Sequence, residues 1–302
     1  MPSPRDANPE LQDAMDEVVE AVNKTITRLL PDTDLPEAPL YEAMRHGTLS
    51  GGKRLRPFLA IHAANLFNVD TNRSRRVAAA IEFVHCYSLI HDDLPSIDDA
   101  ALRRGQPTVH KKFDEATAIL AGDALLTLAF EVLGETETHE DPRVRCELVR
   151  ALAQAAGGHG MIGGQMLDLI GENEEFDLGT ISRLQRMKTG KLMAFACESG
   201  AILGKANEPH KRALCNYAYD LGLAFQVTDD ILDVEADPQD TGKDTRKDEE
   251  AGKATFVSTM GKEGAKERAQ MLVDQAKSHL KIFEGRGRIL CELADYVLQR
   301  RA

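Results

Sequence analysis

The sequence is poor in aromatic residues and carries no cysteine pattern. Its 302 residues include no tryptophan, and aromatics reach only 5%. Sandwiches and barrels are enriched in aromatic and β-branched residues, so this composition argues against them. The five cysteines are odd in number, scattered, and form no CxxC pair. A disulfide framework and a zinc site are therefore not expected, and reduced thiols in the cytoplasm are the default.

An excess of positive charge and a long apolar run are also missing. Lys and Arg number 37 against 49 Asp and Glu, a net charge of −12, which argues against duplex nucleic acid and anionic membrane surfaces as partners. The longest apolar tract, 116–133, is interrupted by Asp123 and Glu131, and the N-terminus MPSPRDANPE lacks the apolar core of a secretory signal. We expect a cytoplasmic protein that binds neither nucleic acid nor, stably, a membrane.

What the sequence has almost throughout is helical periodicity. Apolar residues recur at steps of three and four, and no strand-like alternation extends over more than a few residues. The pattern predicts an all-α fold of about ten helices in a single domain over 1–302, with residues 1–8 and the charged loop 237–252 the least ordered. The apolar stripes are 11–30, 59–67, 77–94, 116–133, 144–156, 181–203, 214–234, 265–283 and 289–298.

Two acidic clusters interrupt this apolar pattern. HDDLPSIDD (91–99) follows the apolar stretch 83–90, and QVTDDILD (226–233) follows 221–225. Clustered carboxylates repel one another unless cations neutralise them. Hard divalent ions, Mg²⁺ above all, bind one or two carboxylates together with phosphate oxygens. A single cluster of this kind could be a solvated helix end, but two that begin with Asp-Asp and follow apolar helices indicate metal binding.

Helix geometry predicts how these carboxylates are grouped. Asp229 and Asp233 are four residues apart, so both lie on one face of a helix. Pro95 should end or kink the first helix near Leu94, because its ring clashes with the carbonyl four residues back. Asp98 could then fold back toward Asp92.

Basic residues accompany both clusters. The segment GGKRLRP (51–57) places three cations just before a helix that Pro57 can open at its first position. Glycines, cations and a helix N-terminus together suit phosphate oxygens, although a solvated basic turn has the same composition. LRRG (102–105) follows the first acidic cluster, and MKTGK (187–191) lies between the two. Carboxylates for metal ions beside cations for the remaining oxygens are what a metal-bridged polyphosphate requires.

In this order, the motifs resemble those of the trans-isoprenyl diphosphate synthases, the polyprenyl synthetase family. The resemblance covers most of the chain and rests on GGKRLRP (51–57), DDLPSID (92–98) with LRRG (102–105), MKTGKL (187–192), FQVTDDILD (225–233) and GKATF (252–256). It is strongest to the bacterial short-chain farnesyl and geranylgeranyl diphosphate synthases. It implies an all-α bundle of the isoprenoid synthase type around a deep central cavity, in a homodimer.

The resemblance also implies roles for individual residues. Metal ligands would be Asp92, Asp93 and Asp98 for two Mg²⁺ ions and Asp229, Asp230 and Asp233 for a third, with Mn²⁺ as a possible substitute. Isopentenyl diphosphate would be bound by Gly52, Lys53, Arg56, His85 and Arg104. The allylic diphosphate and its leaving group would be bound by Arg103, Lys188, Thr189, Gln226, Lys243 and Lys253. The residues nearest the chemistry would be Asp92, Asp93, Asp98, Lys188, Thr189 and Asp229.

The sequence departs from the family pattern in places. Ala100 and Ala101 stand where the family often has two further aspartates, which could weaken outer contacts of the metal site. A glycine common after the second acidic motif is missing, so the register of Lys243 is open. Without the family match, His85 reads more readily as a packed core histidine. The same alternative holds for Gln165 and Asp168.

The implied reaction is the head-to-tail condensation of isopentenyl diphosphate with an allylic diphosphate, releasing pyrophosphate. Product length should depend on what blocks the apolar tunnel. Tyr87, with Ser88 beside it, lies about 7.5 Å before Asp92 on a helix. An aromatic residue there and the two extra residues between Asp93 and Asp98 resemble the farnesyl (C15) synthases. A geranylgeranyl (C20) synthase is the alternative.

Three other classes share single features with the sequence. An HD-type phosphohydrolase would use His91-Asp92, but needs further histidines at helical spacing, which His62, His110, His139 and His159 do not provide. A terpene cyclase would have no use for GGKRLRP. A non-catalytic regulatory subunit of a heteromeric synthase generally lacks one acidic motif, whereas both are present here.

Overall fold

The structure is a computed structural model that describes residues 8–30, 34–172, 174–235 and 255–299. α-Helices make up most of these ranges, which confirms the all-α prediction. The N-terminal half contains α1 (Pro9–Leu29), α2 (Ala38–Leu49), α3 (Leu55–Asn65), α4 (Thr71–Asp92), α5 (Val109–Lys112), α6 (Glu115–Gly134) and α7 (Pro142–Ala156). The C-terminal half contains α8 (Met161–Gly171), α9 (Leu178–Gln185), a π-helical turn (Arg186–Gly190), α10 (Lys191–Leu203), α11 (Glu208–Glu235), α12 (Phe256–His279), a 3₁₀ turn (Leu280–Phe283) and α13 (Arg288–Gln299).

One short hairpin joins α4 to α5. Its strands, β1 (Leu102–Arg103) and β2 (Gln106–Pro107), are antiparallel and pair Leu102 with Pro107 and Arg103 with Gln106. Arg104 and Gly105 form the turn with φ of 54° and 75°. Two consecutive residues with positive φ are typical of the tight turns that match strand twist.

Side-chain caps mark where many helices begin. A side-chain oxygen accepts a hydrogen bond from a backbone N–H of the first turn, which satisfies a donor that has no partner inside the helix. The capping residues are Asn8, Asp70, Asp114, Asp141, Asp177 and Thr255 for α1, α4, α6, α7, α9 and α12. Part of the acidic charge thus serves to start helices.

The helix α10 lies in the middle of the core. It packs against α3, α11, α7 and α4, and nearly all of its residues are buried. Gly200 allows the closest of these approaches, since a Cβ there would lie 2.4 Å from the backbone nitrogen of Ala64 in α3. The helix α4 is also buried on most sides and packs mainly against α6 and α3.

The helix α6 is apolar on more sides than the fold covers. Ile119 and Leu120 are 45% and 58% exposed. Within the described ranges, α6 alone is long and apolar enough to cross a membrane by length and composition, a test that core helices of globular proteins also pass. Here it packs against α4, α2, α5 and α7, and His91 of α4 approaches it at Gly122, where a Cβ would lie 2.1 Å from the imidazole Nε2.

Helix bounds differ from the sequence prediction at three points. The single stripe predicted over 181–203 is interrupted by the π-helical turn Arg186–Gly190. The helix expected to open at Pro57 begins at Leu55, so Pro57 takes the third position, still within the first turn, where its missing N–H is not needed. The stripes also did not include α2, α5 or α8.

Residues 1–7 and the loop 237–252 lie outside the described residues, and the single-domain prediction over 1–302 stays a prediction.

His62 of α3 provides a test of core packing. Its ring lies 4.1 Å from the Phe58 ring, centroid to centroid, and burial lowers its pKa from the usual 6.5 to about 4. Between these values the unfolded chain binds a proton that the folded chain does not. The His62 contribution to stability should therefore fall by up to about 3 kcal/mol as the pH drops from 6.5 to 4.

We expect His62→Leu to remove this pH dependence. Urea unfolding of the wild type and the variant at several pH values should show a free-energy difference that shifts in favour of the variant on acidification. Parallel curves over the whole range would contradict a buried neutral imidazole.

Candidate active site

The first acidic cluster lies at the end of α4. The helix ends at Asp92, within two residues of the position predicted from Pro95. The backbone N–H of Asp98 donates to the Asp92 carbonyl at 2.9 Å, so this turn folds back as expected. Asp92 is half-buried, Asp93 is buried and Asp98 is exposed.

Asp93 is held by an arginine of the hairpin. Nε of Arg103 donates to both carboxylate oxygens of Asp93 at 2.9 Å, and Nη2 lies 2.6 Å from Oδ1. The Asp93 side chain is only 4% exposed. This charge-assisted pair ties β1 to the acidic turn, and it places Arg103 within the first cluster as the sequence predicted.

Asp92 has less counter-charge than its neighbour. Burial, followed by the charges of Asp98 and Asp93, raises its pKa to about 6, while Lys188 and Arg103 oppose the rise. A desolvated carboxylate beside like charges favours its protonated form until a cation arrives. The first cluster is therefore short of positive charge at Asp92.

The second acidic cluster lies on the last turns of α11. Asp229 and Asp233 are half-buried, four residues apart on one face, whereas Asp230 is buried. An oxygen of Asp230 accepts the backbone N–H of Phe256 at 2.8 Å, which fastens the start of α12 to α11. Asp229 and Asp233 are thus the more accessible carboxylates of the second acidic cluster.

The π-helical turn (Arg186–Gly190) connects the first acidic cluster with the second. Lys188 Nζ lies 2.7 Å from Asp168 Oδ2 on α8, and its charge also acts on Asp92 at the end of α4. The hydroxyl of Thr189 donates to Gln226 Oε1 on α11 at 2.7 Å. Lys188, Thr189 and Gln226, predicted from motifs far apart in sequence, are therefore neighbours in the fold.

We tested whether these residues suit a metal ion. Among the described residues, no three His, Cys, Asp or Glu side chains converge on one point. Mg²⁺, however, is usually held by one or two carboxylates, waters and the oxygens of a bound phosphate, so a protein cage is not required. Burial and the neighbouring charges of Asp98 and Asp93 raise the pKa of Asp92, which a bound cation would oppose. The donor set fits a hard divalent ion that arrives with a phosphate ligand.

A group of basic residues with two glycines, which we call the basic wall, contains Gly51, Gly52, Lys53, Arg56, His85 and Arg104. It is built on a glycine turn. Gly51 and Gly52 have φ of 92° and 123°, a region that glycine adopts without strain. Nη1 of Arg104 donates to the Gly51 carbonyl, and a Cβ on Gly52 would lie 2.6 Å from the Arg104 guanidinium carbon. The absence of a side chain at Gly52 thus lets the hairpin arginine reach this loop. Lys53 beside them is exposed.

Arg56 and His85 continue the basic wall. Arg56 Nη1 lies 3.5 Å from His85 Nε2, and because a guanidinium can only donate, Nε2 is the acceptor of a neutral ring. Burial and then the charges of Arg56, Arg104, Arg103 and Arg54 lower the pKa of His85 well below its usual value. The buried Nε of Arg56 has no hydrogen-bond partner within the described ranges. Such a cluster favours an anion.

One cation of GGKRLRP does not belong to this wall. Arg54 is buried and bonded to α1, α2 and α4, so only two of the three cations in this segment are available to a phosphate. Sequence reasoning also missed its partner Glu82, a lone charge in the apolar stretch of α4, which should have indicated a buried ion pair. Lys243 and Lys253 lie outside the described residues.

Tyr87 lies one turn before the acidic end of α4. Its ring packs edge-on against His91, with centroids 5.7 Å apart, and is 5% exposed. Burial and then Asp92 raise its pKa to about 12, and its buried hydroxyl meets no partner in the described part of the chain. Ser88, in contrast, donates to the His85 carbonyl of its own helix at 2.8 Å. The aromatic ring is therefore buried close to Asp92, with its hydroxyl unpaired among the described residues.

Comparison with known proteins places this arrangement in a family. Residues 37–282 match the family described as Polyprenyl synthetase. A farnesyl diphosphate synthase of Escherichia coli (strain K12) is 44% identical over 289 residues, which cover 93% of this chain and 96% of that protein. A geranylgeranyl diphosphate synthase of Cyanophora paradoxa is 36% identical, covering 94% and 93%. The crystal structure of an FPP/GFPP synthase from Zymomonas mobilis has a TM-score of 0.88 at 47% identity, covering 96% and 99%.

Gly164 tests the packing that positions the π-helical turn. A Cβ there would lie 2.2 Å from the backbone nitrogen of Lys188, so Gly164→Ala should push α8 away from the turn. Because the obstruction is backbone, we expect a loss of about 2 kcal/mol in unfolding free energy. Gly134→Ala, where a Cβ meets open space, is the matched control. Equal denaturation midpoints for the two variants would show that the close approach does not matter.

Proposed function

The chain belongs to the polyprenyl synthetase family, and we propose that it condenses isopentenyl diphosphate with dimethylallyl or geranyl diphosphate to make farnesyl diphosphate and pyrophosphate. The observation that supports this most directly is that one turn links the two acidic clusters: the Lys188 charge acts on Asp92, and Thr189 donates to Gln226 on the helix that carries Asp229. The reaction is a prenyl transfer, and the chemistry requires those parts: cations for two diphosphates and carboxylates for the metal ions between them.

Mg²⁺ is the metal we assign to the carboxylates, three ions per site. Asp92, Asp93 and Asp98 would hold two of them and Asp229, Asp230 and Asp233 the third, and we expect Mn²⁺ to substitute. When bound with the allylic diphosphate, ions held by these residues would neutralise the negative charge that grows on the leaving group. Asp93 and Asp230 would have to share oxygens now bonded to Arg103 and the Phe256 N–H.

The basic wall would bind isopentenyl diphosphate. Gly52, Lys53, Arg56, His85 and Arg104 are the residues we assign to it, and the neutral His85 can donate from Nδ1 while the arginines supply charge. The allylic diphosphate would lie against Arg103, Lys188, Thr189 and Gln226, with Lys243 and Lys253 also assigned to it. Because Lys188 is paired with Asp168, its charge is held close to Asp92.

The bond changes then follow from these charges. The allylic C–O bond breaks heterolytically, the alkene of isopentenyl diphosphate attacks the resulting cation at C1, and a proton leaves. None of the assigned side chains is a strong base, so the departing pyrophosphate is the acceptor we propose. The π-helical turn interrupts the regular hydrogen-bond ladder at Lys188 and Thr189, which suits backbone dipoles that face a cation. An apolar cavity between the helices would exclude water that otherwise quenches the cation.

Three features support the remaining assignments. The exposed Ile119 and Leu120 of α6 favour burial against a second copy of the chain, so we propose a homodimer. The acidic net charge supports a cytoplasmic protein without nucleic-acid or stable membrane partners. Both acidic motifs are present, which supports an active enzyme over a regulatory subunit.

Carboxylate variants test the metal-dependent reaction. Asp92→Asn and Asp229→Asn should each lower kcat/KM by at least about 100-fold, because the leaving-group charge loses part of its compensation. The exposed Asp274→Asn on α12 is the control and should behave as wild type. Product formation by the chain alone is followed by mass spectrometry with and without EDTA. Full turnover in excess chelator would refute the proposed mechanism.

Tyr87 variants test product length. Tyr87→Ala should extend the product from C15 toward C20, since removing the ring opens apolar space beyond the growing chain. Tyr87→Phe keeps the ring and should retain C15, which makes it the matched control. An unchanged product distribution in Tyr87→Ala would reduce Tyr87 to a packing role, and a C20 product in the wild type would favour the geranylgeranyl alternative.

A further inference from the structure

Arg54 stands between two residues of the proposed isopentenyl diphosphate site and points the other way. Its side chain is 0% exposed. Nη1 lies 2.5 Å from Glu82 Oε1 on α4, Nε and Nη2 donate to Asn23 Oδ1 on α1 at 3.1 and 2.8 Å, and Nη2 also donates to the Thr48 carbonyl on α2 at 2.5 Å. One guanidinium thus joins α1, α2 and α4 to the loop that precedes α3.

The backbone at Arg54 is unusual as well. Its φ of 49° is left-handed, and it follows Gly51 and Gly52, with φ of 92° and 123°, after one intervening residue, Lys53. An L-residue with a long side chain adopts this region at a cost, so surrounding contacts must hold it there. Two preceding glycines leave the loop few restraints of its own. The contacts of the buried guanidinium are the restraint.

Stability alone does not explain this group. A buried ion pair is often no more stabilising than packed apolar side chains of similar volume, because both charges lose their hydration. What distinguishes a guanidinium is geometry, since its planar donors fix direction as well as distance. Arg54 uses that geometry on acceptors from three separate helices.

Glu82 connects the Arg54 guanidinium to the basic wall. It precedes His85 by three residues, so the two side chains lie on neighbouring turns of α4. Cys86 Sγ donates to Glu82 Oε1 at 3.8 Å. The Glu82 charge also acts on Arg56, which lies two residues after Arg54. The Arg54–Glu82 ion pair therefore lies next to the Arg56–His85 contact, one helical turn earlier on α4.

We propose that Arg54 and Glu82 are positioning residues that hold the Gly51–Lys53 turn and Arg56 in register with His85 for isopentenyl diphosphate. This inference rests on the proposed function. The pair touches no substrate itself; it sets the spacing between cations on the loop and those on α4 and the hairpin.

Arg54→Lys is the principal test. Lysine keeps the charge, but a single ammonium cannot reach Glu82, Asn23 and the Thr48 carbonyl together. We expect KM for isopentenyl diphosphate to rise about tenfold, with KM for geranyl diphosphate and kcat changed by less than about twofold. Asn23→Ala leaves the ion pair intact and should raise the same KM about threefold, which provides a second test if Arg54→Lys does not fold.

The matched control is Arg76→Lys on α4, the helix that carries Glu82. Arg76 is also largely buried and donates to Thr138 Oγ1 at 3.1 Å and to Glu135, away from the site. This variant should lower the thermal midpoint and leave both KM values unchanged. If Arg54→Lys and Asn23→Ala behave in the same way, the positioning role is overturned. Wild-type protein that makes no prenyl product would instead refute the proposed function.

Discussion

Carboxylates that lie side by side away from water need positive charge, and the site is organised around that requirement. Asp93 is neutralised by Arg103, and Asp168 by Lys188. Asp92 has no such partner of its own: Lys188 and Arg103 act on it while paired with other carboxylates, and burial raises its pKa to about 6. The protein therefore supplies counter-charge to the carboxylates that hold the site together and leaves a deficit where a metal–diphosphate complex would bind. Under the proposed function, binding of such a complex would reduce the electrostatic penalty at Asp92.

A protein of net charge −12 can bind two diphosphates because local placement outweighs the total. The glycine turn, the hairpin and α3 bring Arg56 and Arg104 close to His85, and their field together with burial keeps the imidazole neutral. Several acidic residues are meanwhile used as helix caps away from the site. The net charge thus argues against binding to nucleic acid or to anionic membrane surfaces. It does not argue against a small, local phosphate site.

The helices and the acidic turn could be predicted from sequence because both depend on local rules. Apolar periodicity indicates buried faces, and Pro95 limits α4 wherever the rest of the chain lies. The π-helical turn could not be predicted, since its position depends on α8 approaching across Gly164, a contact between distant segments. The inward direction of Arg54 likewise depends on a left-handed backbone and on partners from three helices. Periodicity carries no information about either.

The helix α4 explains how these separate parts act together. Glu82, His85, Tyr87 and Asp92 follow one another along it. The residues to which we assign loop support, isopentenyl diphosphate binding, control of product length and metal binding therefore share a single helix axis. A helix rises about 1.5 Å per residue, which fixes the distance from Tyr87 to Asp92 at about 7.5 Å. Burial on most sides keeps that axis rigid. Under the proposed function, product length would then depend on side-chain size at Tyr87, because the buried helix between Tyr87 and Asp92 holds their spacing constant.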